Sequence, residues 1–261
     1  MSIARIKGVF FRYYFSMIKG LHQLADLFYW PLVDILLWGL TTVWIKNQMD
    51  SVPMLPLMLM TALVFWQVAW RASVDISVNL LQEFWNRNLV NLFSTPLKIS
   101  EWICGILLVC FCKLFISLAF CSLAVYLLYS LNVFSVGWSF IPFTALLLMF
   151  GWFLGLTAAG MIIYWGKKVE MFAWMIAFVF APFSAVFYPV TVLPPWAQEV
   201  AWLLPTTYVF EGMRAILNGQ GLLVSYIWKS LALNIIFLFS AALFFRYMFN
   251  KSRQKGLARL E

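Results

Sequence analysis

The side chains of this chain that could do chemistry are few and scattered. The one histidine, His22, offers no partner set for zinc or for acid–base catalysis. Cys104, Cys110, Cys112 and Cys121 share one apolar segment, and Cys110-x-Cys112 lacks further ligands nearby, so they read as small apolar packing residues. No two carboxylates are spaced for acid–base work. No Gly-x-x-x-x-Gly-Lys-Ser/Thr loop exists to cradle phosphates, so the chain cannot bind ATP in that way. The expectation is a protein that is not an enzyme and holds no metal or cofactor of its own. What remains are isolated charges in apolar surroundings. Asp34 lies about two turns into the first apolar run, where a carboxylate is a functional candidate by default; Arg71, Lys113 or a second subunit could pair with it. Lys113 could snorkel to the interface. Glu211 and Arg214, three apart on a helix, should face each other. Just upstream, Pro205 can end one helix and Tyr208 can place a ring at an interface.

Composition says what positions these residues. Of 261 residues, 64% are apolar, 19% aromatic and 11% charged, against roughly 25% charged in soluble proteins. So few charges cannot coat a soluble fold of this apolarity, and no stretch is long enough for a separate soluble catalytic domain. The chain reads as one all-α integral membrane domain over residues 1–261. The net charge of +8 sits in short clusters between apolar runs, as topology signals do, and not in a patch for nucleic acid. The N-terminus is basic and amphipathic, which does not match a cleavable signal peptide.

From Leu114 to Gly166 no residue is charged. A helix of that length would run about 80 Å, so a break belongs near residues 132–139. Six spans follow, at about 28–45, 54–72, 103–131, 139–165, 171–191 and 228–249, the third over-long and tilted or extended past the membrane. With both termini in the cytoplasm, fourteen basic residues fall inside and three (Lys46, Arg214 and Lys229) outside, with Lys113 in or near a span.

Three further segments look structured. Over residues 3–20, Arg5, Arg12 and Lys19 recur every seventh position beside Ile6, Val9, Phe10, Tyr13 and Met17. That predicts an amphipathic helix in the membrane interface with its basic side to the headgroups. The internal loop around 76–102 carries Phe84, Trp85, Leu89, Val90, Leu92 and Phe93, and reads as a short amphipathic helix stopped by Pro96. Residues 189–227 hold Pro189, Pro194, Pro195 and Pro205 with Trp196, Trp202 and Tyr208, which suggests short external re-entrant helices before the last span. In the fourth span Gly151, Gly155 and Ala159 form a small-residue stripe, for packing inside the bundle or against a second subunit.

This order of features resembles the ABC-2 family of export permeases. Leu204-Pro205-Thr206-Thr207-Tyr208, with Arg214 six positions on, is similar to that family's Pro-Thr-x-Tyr motif and its following arginine. Phe187-Tyr188-Pro189 and Leu193-Pro194 resemble the preceding stretch, and Leu92-Phe93-Ser94-Thr95-Pro96-Leu97 resembles the cytoplasmic loop after the second span. The resemblance implies a permease in a bacterial inner membrane, working as a homodimer with two copies of a separate ABC ATPase that carries the ATP and Mg. Glu83, Phe84, Trp85, Arg87, Leu89 and Phe93 would couple to that ATPase. Pro205, Tyr208, Glu211 and Arg214 would shape an external gate or exit, with Asp34 and Lys113 as intramembrane charges. Family members export drugs, lipids or lipid-linked glycans, and a small amphipathic or lipid-like cargo is expected here. A secondary transporter would more often show an inverted repeat, and none is visible. A membrane enzyme would need His, Asp or Glu clusters at membrane depth.

Overall fold

The computed structural model describes residues 2–48 and 54–255. Among these, helices α1 (Ile3–Lys19), α2 (Leu21–Gln48), α3 (Leu55–Trp85), α4 (Leu89–Ser94) and α5 (Ile99–Tyr129) form the first half. Helices α6 (Phe140–Trp165), α7 (Phe172–Phe180), α8 (Pro195–Trp202), α9 (Pro205–Leu217) and α10 (Val224–Gln254) form the second. Five of them, α2, α3, α5, α6 and α10, are long and apolar enough to cross a membrane.

Side-chain contacts fix their directions. Gly151 and Gly155 of α6 abut Ala69 and Ser73 of α3, so residue numbers ascend together and the two helices run parallel. Helix α10 runs the same way, with Gly160 against Phe244 and Phe245 and the Ser252 hydroxyl donating to the Ile163 carbonyl at 2.7 Å. Helices α2 and α5 run opposite to α3. Arg71 donates to the Asp26 carbonyl while Gln67 reaches Asp34, and Lys113 reaches Asp75 while Cys121 packs in one cluster with Met60 and Val64. The described chain ends therefore share one end of the bundle. There the Ser2 amide donates to Glu101 at 2.7 Å, and Arg246 and Arg253 flank residues 95–100. Arg5, Arg12, Lys98, Lys167, Lys168 and Lys251 gather at this basic end, as the charge asymmetry predicts. Arg259, counted with them in the sequence, lies outside the described residues.

Burial is uneven. Helix α6 lies between α3 and α10, and α3 is the most enclosed span, whereas most of α2 and α10 is uncovered by this chain. The core has one cluster around Phe65, Phe143, Leu147, Phe150 and Phe210 and another at the basic end around Leu80, Phe84, Ile106, Ile162 and Phe245.

The expected break after the third span is present. Helix α5 ends at Ser130 in a left-handed conformation, and a 3₁₀ stretch over Val133–Ser139 leads into α6. The second span is longer than expected, because α3 continues past residue 72 to Trp85.

The continuous helix expected over 171–191 is not there. Helix α7 has nine residues, about 14 Å, against a hydrocarbon core of about 30 Å. It gives way to a 3₁₀ turn over Ala181–Phe183 and an irregular segment to Pro189. Pro182 is the local cause, since it has no N–H for the Phe178 carbonyl one turn back. The segment still runs back along α3: the Ser77 hydroxyl donates to the Ala173 carbonyl at 3.2 Å, and Phe178 lies 6.4 Å from Trp70. The chain thus returns from the basic end by a composite path.

Helix α1 also differs from expectation. It packs on α5 through Val9 and Tyr13, also buries Met17, and exposes Phe11, Phe15 and Ile18. Arg5 and Arg12 turn toward the bundle, into ion pairs with Glu101 at 3.1 Å and Glu83 at 2.6 Å. Buried acidic partners on α3 and α5, invisible in the periodicity of α1, orient the stripe.

The glycine stripe serves packing within the chain. A Cβ on Gly155 would sit 2.7 Å from the Ser73 carbonyl oxygen and 2.9 Å from the Ile76 Cβ. Gly155→Ala is expected to destabilise the purified protein by about 1–3 kcal/mol, the usual cost of overpacking. Gly8→Ala, whose Cβ meets nothing within 4 Å, is the control. Thermal unfolding in detergent measures both, and equal midpoints would mean that α3 and α6 separate freely.

Candidate functional site

Helix α9 forms the far end of the bundle, and its polar side chains fasten the segments around it. Pro205 starts the helix, and its carbonyl accepts from Ser230 of α10 at 2.8 Å. Thr206 donates to Ser184 at 2.9 Å, Thr207 to the Ala201 carbonyl at 2.6 Å, and Tyr208 to the Trp202 carbonyl at 2.9 Å. Each residue of the Pro-Thr-Thr-Tyr run therefore holds a different neighbour. Glu211 and Arg214 pair at 3.1 Å, as their spacing predicts, but the pair does more. Arg214 donates to the carbonyls of Ala185 (2.7 Å) and Val186 (3.2 Å), and Glu211 accepts from the Val190 amide at 2.7 Å. Ala185 is fully buried at φ +53°, an unusual state for a residue with a Cβ. Arg214 thus holds a strained irregular loop whose carbonyls would otherwise lack donors. Beside the pair lies a cavity of about 410 Å³, walled by Met58, Phe187, Pro189, Asn218 and Tyr226.

At the basic end, Glu83 and Phe84 sit elsewhere than a docking role requires. Glu83 is buried near the C-terminal end of α3, accepting from Arg12 (2.6 Å), the Tyr13 hydroxyl (2.7 Å) and Asn88 (2.6 Å). The Trp102 indole donates to the same Tyr13 hydroxyl at 3.0 Å. Burial, and next the Glu83 carboxylate, push the Tyr13 phenol well above its ordinary pKa, which keeps it a donor. Phe84 is fully buried in the inner core. Neither residue offers a surface to a partner, because α3 runs past the expected end of its span and takes both inside. Trp85 is 46% exposed, with its indole 3.4 Å from Glu170, and Arg87 is exposed at φ +50° in the turn before α4. Leu89 and Phe93 lie on α4, and their side chains lie outside the described residues, as does that of His22.

The charges at membrane depth find unexpected partners. Lys113 does not snorkel. It is buried and paired with Asp75 at 2.8 Å. Asp75 escaped the sequence reading because it lies three residues beyond the expected end of its span; the apolar residues Ile76, Val78, Leu80 and Leu81 that follow were the available signal. Within this chain Asp34 pairs with neither Arg71, which donates to the Asp26 carbonyl, nor Lys113, which pairs with Asp75. Gln67 donates to the Asp34 carboxylate at 2.9 Å. Both residues line a groove of about 600 Å³ between α2, α3 and α7. Among the described residues no three His, Cys, Asp or Glu side chains converge to hold a metal ion.

Long apolar helices joined by short connections, with ion pairs closed inside the bundle, define a multi-pass helical membrane protein. The family model described as ABC-2 type transporter matches residues 21–218, and the chain belongs to that family. Membership makes it the membrane domain of an ABC transporter and implies an ABC ATPase as partner. A comparison with curated proteins finds no match.

The Lys113–Asp75 pair gives a test of the buried charges. Lys113→Met leaves Asp75 charged and alone, and is expected to destabilise by about 3–5 kcal/mol. Adding Asp75→Leu should recover most of that loss. Thermal unfolding of both variants decides; a double variant no more stable than the single one would mean the two groups are not coupled.

Proposed function

We propose that this chain is the permease subunit of an exporter in a bacterial plasma membrane, acting as a homodimer with two ATPase subunits. The observation that carries the reading is the family match over residues 21–218, joined to a bundle whose two ends are built differently. The basic end presents Trp85, Arg87 and α4 beside a rigid base made by Glu83, Arg12, Tyr13 and Trp102. The far end is a cap held by α9.

The concentration of basic residues supports a cytoplasmic basic end and cytoplasmic termini. Helix α1 then lies at the inner interface, with Phe11, Phe15 and Ile18 toward lipid. ATP and Mg belong to the partner chain, whose hydrolysis drives a change that α4 passes to α3. The permease itself catalyses nothing and needs no cofactor. The cap at Pro205, Tyr208, Glu211 and Arg214 forms the external gate. The cargo is amphipathic, of drug-like, lipid or lipid-linked glycan type.

Trp85→Asp combined with Arg87→Glu is expected to lower recovery of the co-expressed ATPase at least about tenfold, since an interface anchor contributes about 2 kcal/mol or more. Phe84→Asp would disturb the fold first and is the wrong probe. Co-purification from membranes measures the loss, and undiminished recovery would remove this surface from the interface.

Arg214→Ala leaves two loop carbonyls short of donors, at a cost of about 1–3 kcal/mol. ATP turnover by the assembled transporter should fall several-fold while the subunits still co-purify, and Arg214→Lys should retain part of it. The exchange Glu211→Arg with Arg214→Glu should not restore turnover, because a carboxylate at 214 cannot donate to Ala185 and Val186. Normal turnover in Arg214→Ala would reduce the cap to a passive lid.

A further inference from the structure

The groove between α2, α3 and α7 has a chemistry that narrows the cargo. Its walls include Trp30, Trp38, Trp66, Trp70 and Trp174, and its polar side chains include two carboxylates, Asp26 and Asp34. Among the described residues no lysine or arginine lines it. Arg71, the nearest cation along α3, donates to the Asp26 carbonyl, stands 5.4 Å from the Trp70 ring and lines a separate small cavity. Asp34 is partly open to the groove, and no described cation lies within salt-bridge distance of it. Gln67 spends its amide N–H on Asp34 and leaves its carbonyl oxygen without a partner, although the residue is only 5% exposed.

A volume of about 600 Å³ suits a drug-sized molecule. Aromatic faces attract a cation through their quadrupoles, most strongly for tryptophan, and a carboxylate at membrane depth is stabilised most by an opposite charge. An anionic cargo would meet the Asp34 carboxylate in a medium that screens charge poorly. A neutral one would leave Asp34 without an opposite charge. Trp30 and Trp38 in the groove wall are both more than one-third exposed, which suits a ligand carrying an apolar body.

We infer that this groove binds a lipophilic organic cation, with Asp34 as counter-ion, Gln67 as orienting acceptor and the tryptophans as an aromatic cage. The inference rests on the permease reading for its meaning as cargo, but not for the binding itself.

The test uses the purified full-length protein in phosphatidylglycerol nanodiscs. The probes are tetraphenylphosphonium and tetraphenylborate, which match in shape and differ in sign. Equilibrium dialysis should show saturable binding of the cation that Asp34→Asn weakens at least tenfold and Asp34→Glu largely keeps, with circular dichroism and monodispersity confirming that each variant is folded. The wild-type protein should show no saturable tetraphenylborate site. Equal saturable binding of both ions by the wild type, or full cation affinity in Asp34→Asn, would overturn the proposal. Cation binding abolished by choline lipids in the nanodisc would also overturn it, by assigning the groove to lipid headgroups. If Asp34-dependent binding is found but the probe leaves ATP turnover of the assembled transporter unchanged, the site stands and its role as cargo site falls.

Discussion

The close approach of α6 to α3 is the contact on which the bundle depends. In a bilayer the hydrophobic effect does not drive helices together, so association relies on van der Waals packing and interhelical hydrogen bonds. Gly151 and Gly155 let the α6 backbone come up to the carbonyls of Ala69 and Ser73, and α10 uses Gly160 on another side of the same helix. With α6 fixed, the position of α3 is fixed too, and with it Gln67, Arg71, Asp75 and Glu83. The polar residues that define the groove, the buried ion pair and the inner network are thus placed by a contact that contains no charge.

The irregular segment between α7 and α9 poses the opposite problem. A backbone outside regular helix has amides and carbonyls that lipid cannot satisfy. This chain answers with side chains from α9: Thr206, Thr207, Tyr208, Glu211 and Arg214 each reach a group outside their own turn. The proline-rich stretch and the motif that follows it are therefore one unit. One breaks the helix, and the other caps the groups that the break sets free.

Much of this architecture was legible in the residues. Hydropathy located the long spans, the polar patch at 132–139 marked the turn into α6, and the three-residue spacing of Glu211 and Arg214 announced their pairing. The misreadings share a cause. Arg71, Asp75 and Glu83 suggested that the second span stops near residue 72, because charge normally marks a membrane boundary. Each has a partner from another element, so the helix continues and carries Phe84 inward. The long-range partners, Arg12 for Glu83 and Lys113 for Asp75, leave no trace in local periodicity. The same holds for α1, whose basic stripe looks membrane-facing until its acidic partners are seen.

The shared direction of α3, α6 and α10 has an electrostatic consequence. Each helix carries roughly half a negative elementary charge at its C-terminal end, where the last carbonyls lack intrahelical donors. Three such ends collect at one face of the bundle, and like dipoles side by side repel. Cations stand at each of them: Arg87 just beyond α3, Lys167 and Lys168 just beyond α6, and Lys251 and Arg253 in the last turn of α10. Residues that read as topology signals in the sequence thus also neutralise the aligned macrodipoles, so reversing the bundle in the membrane would not free them to leave this face.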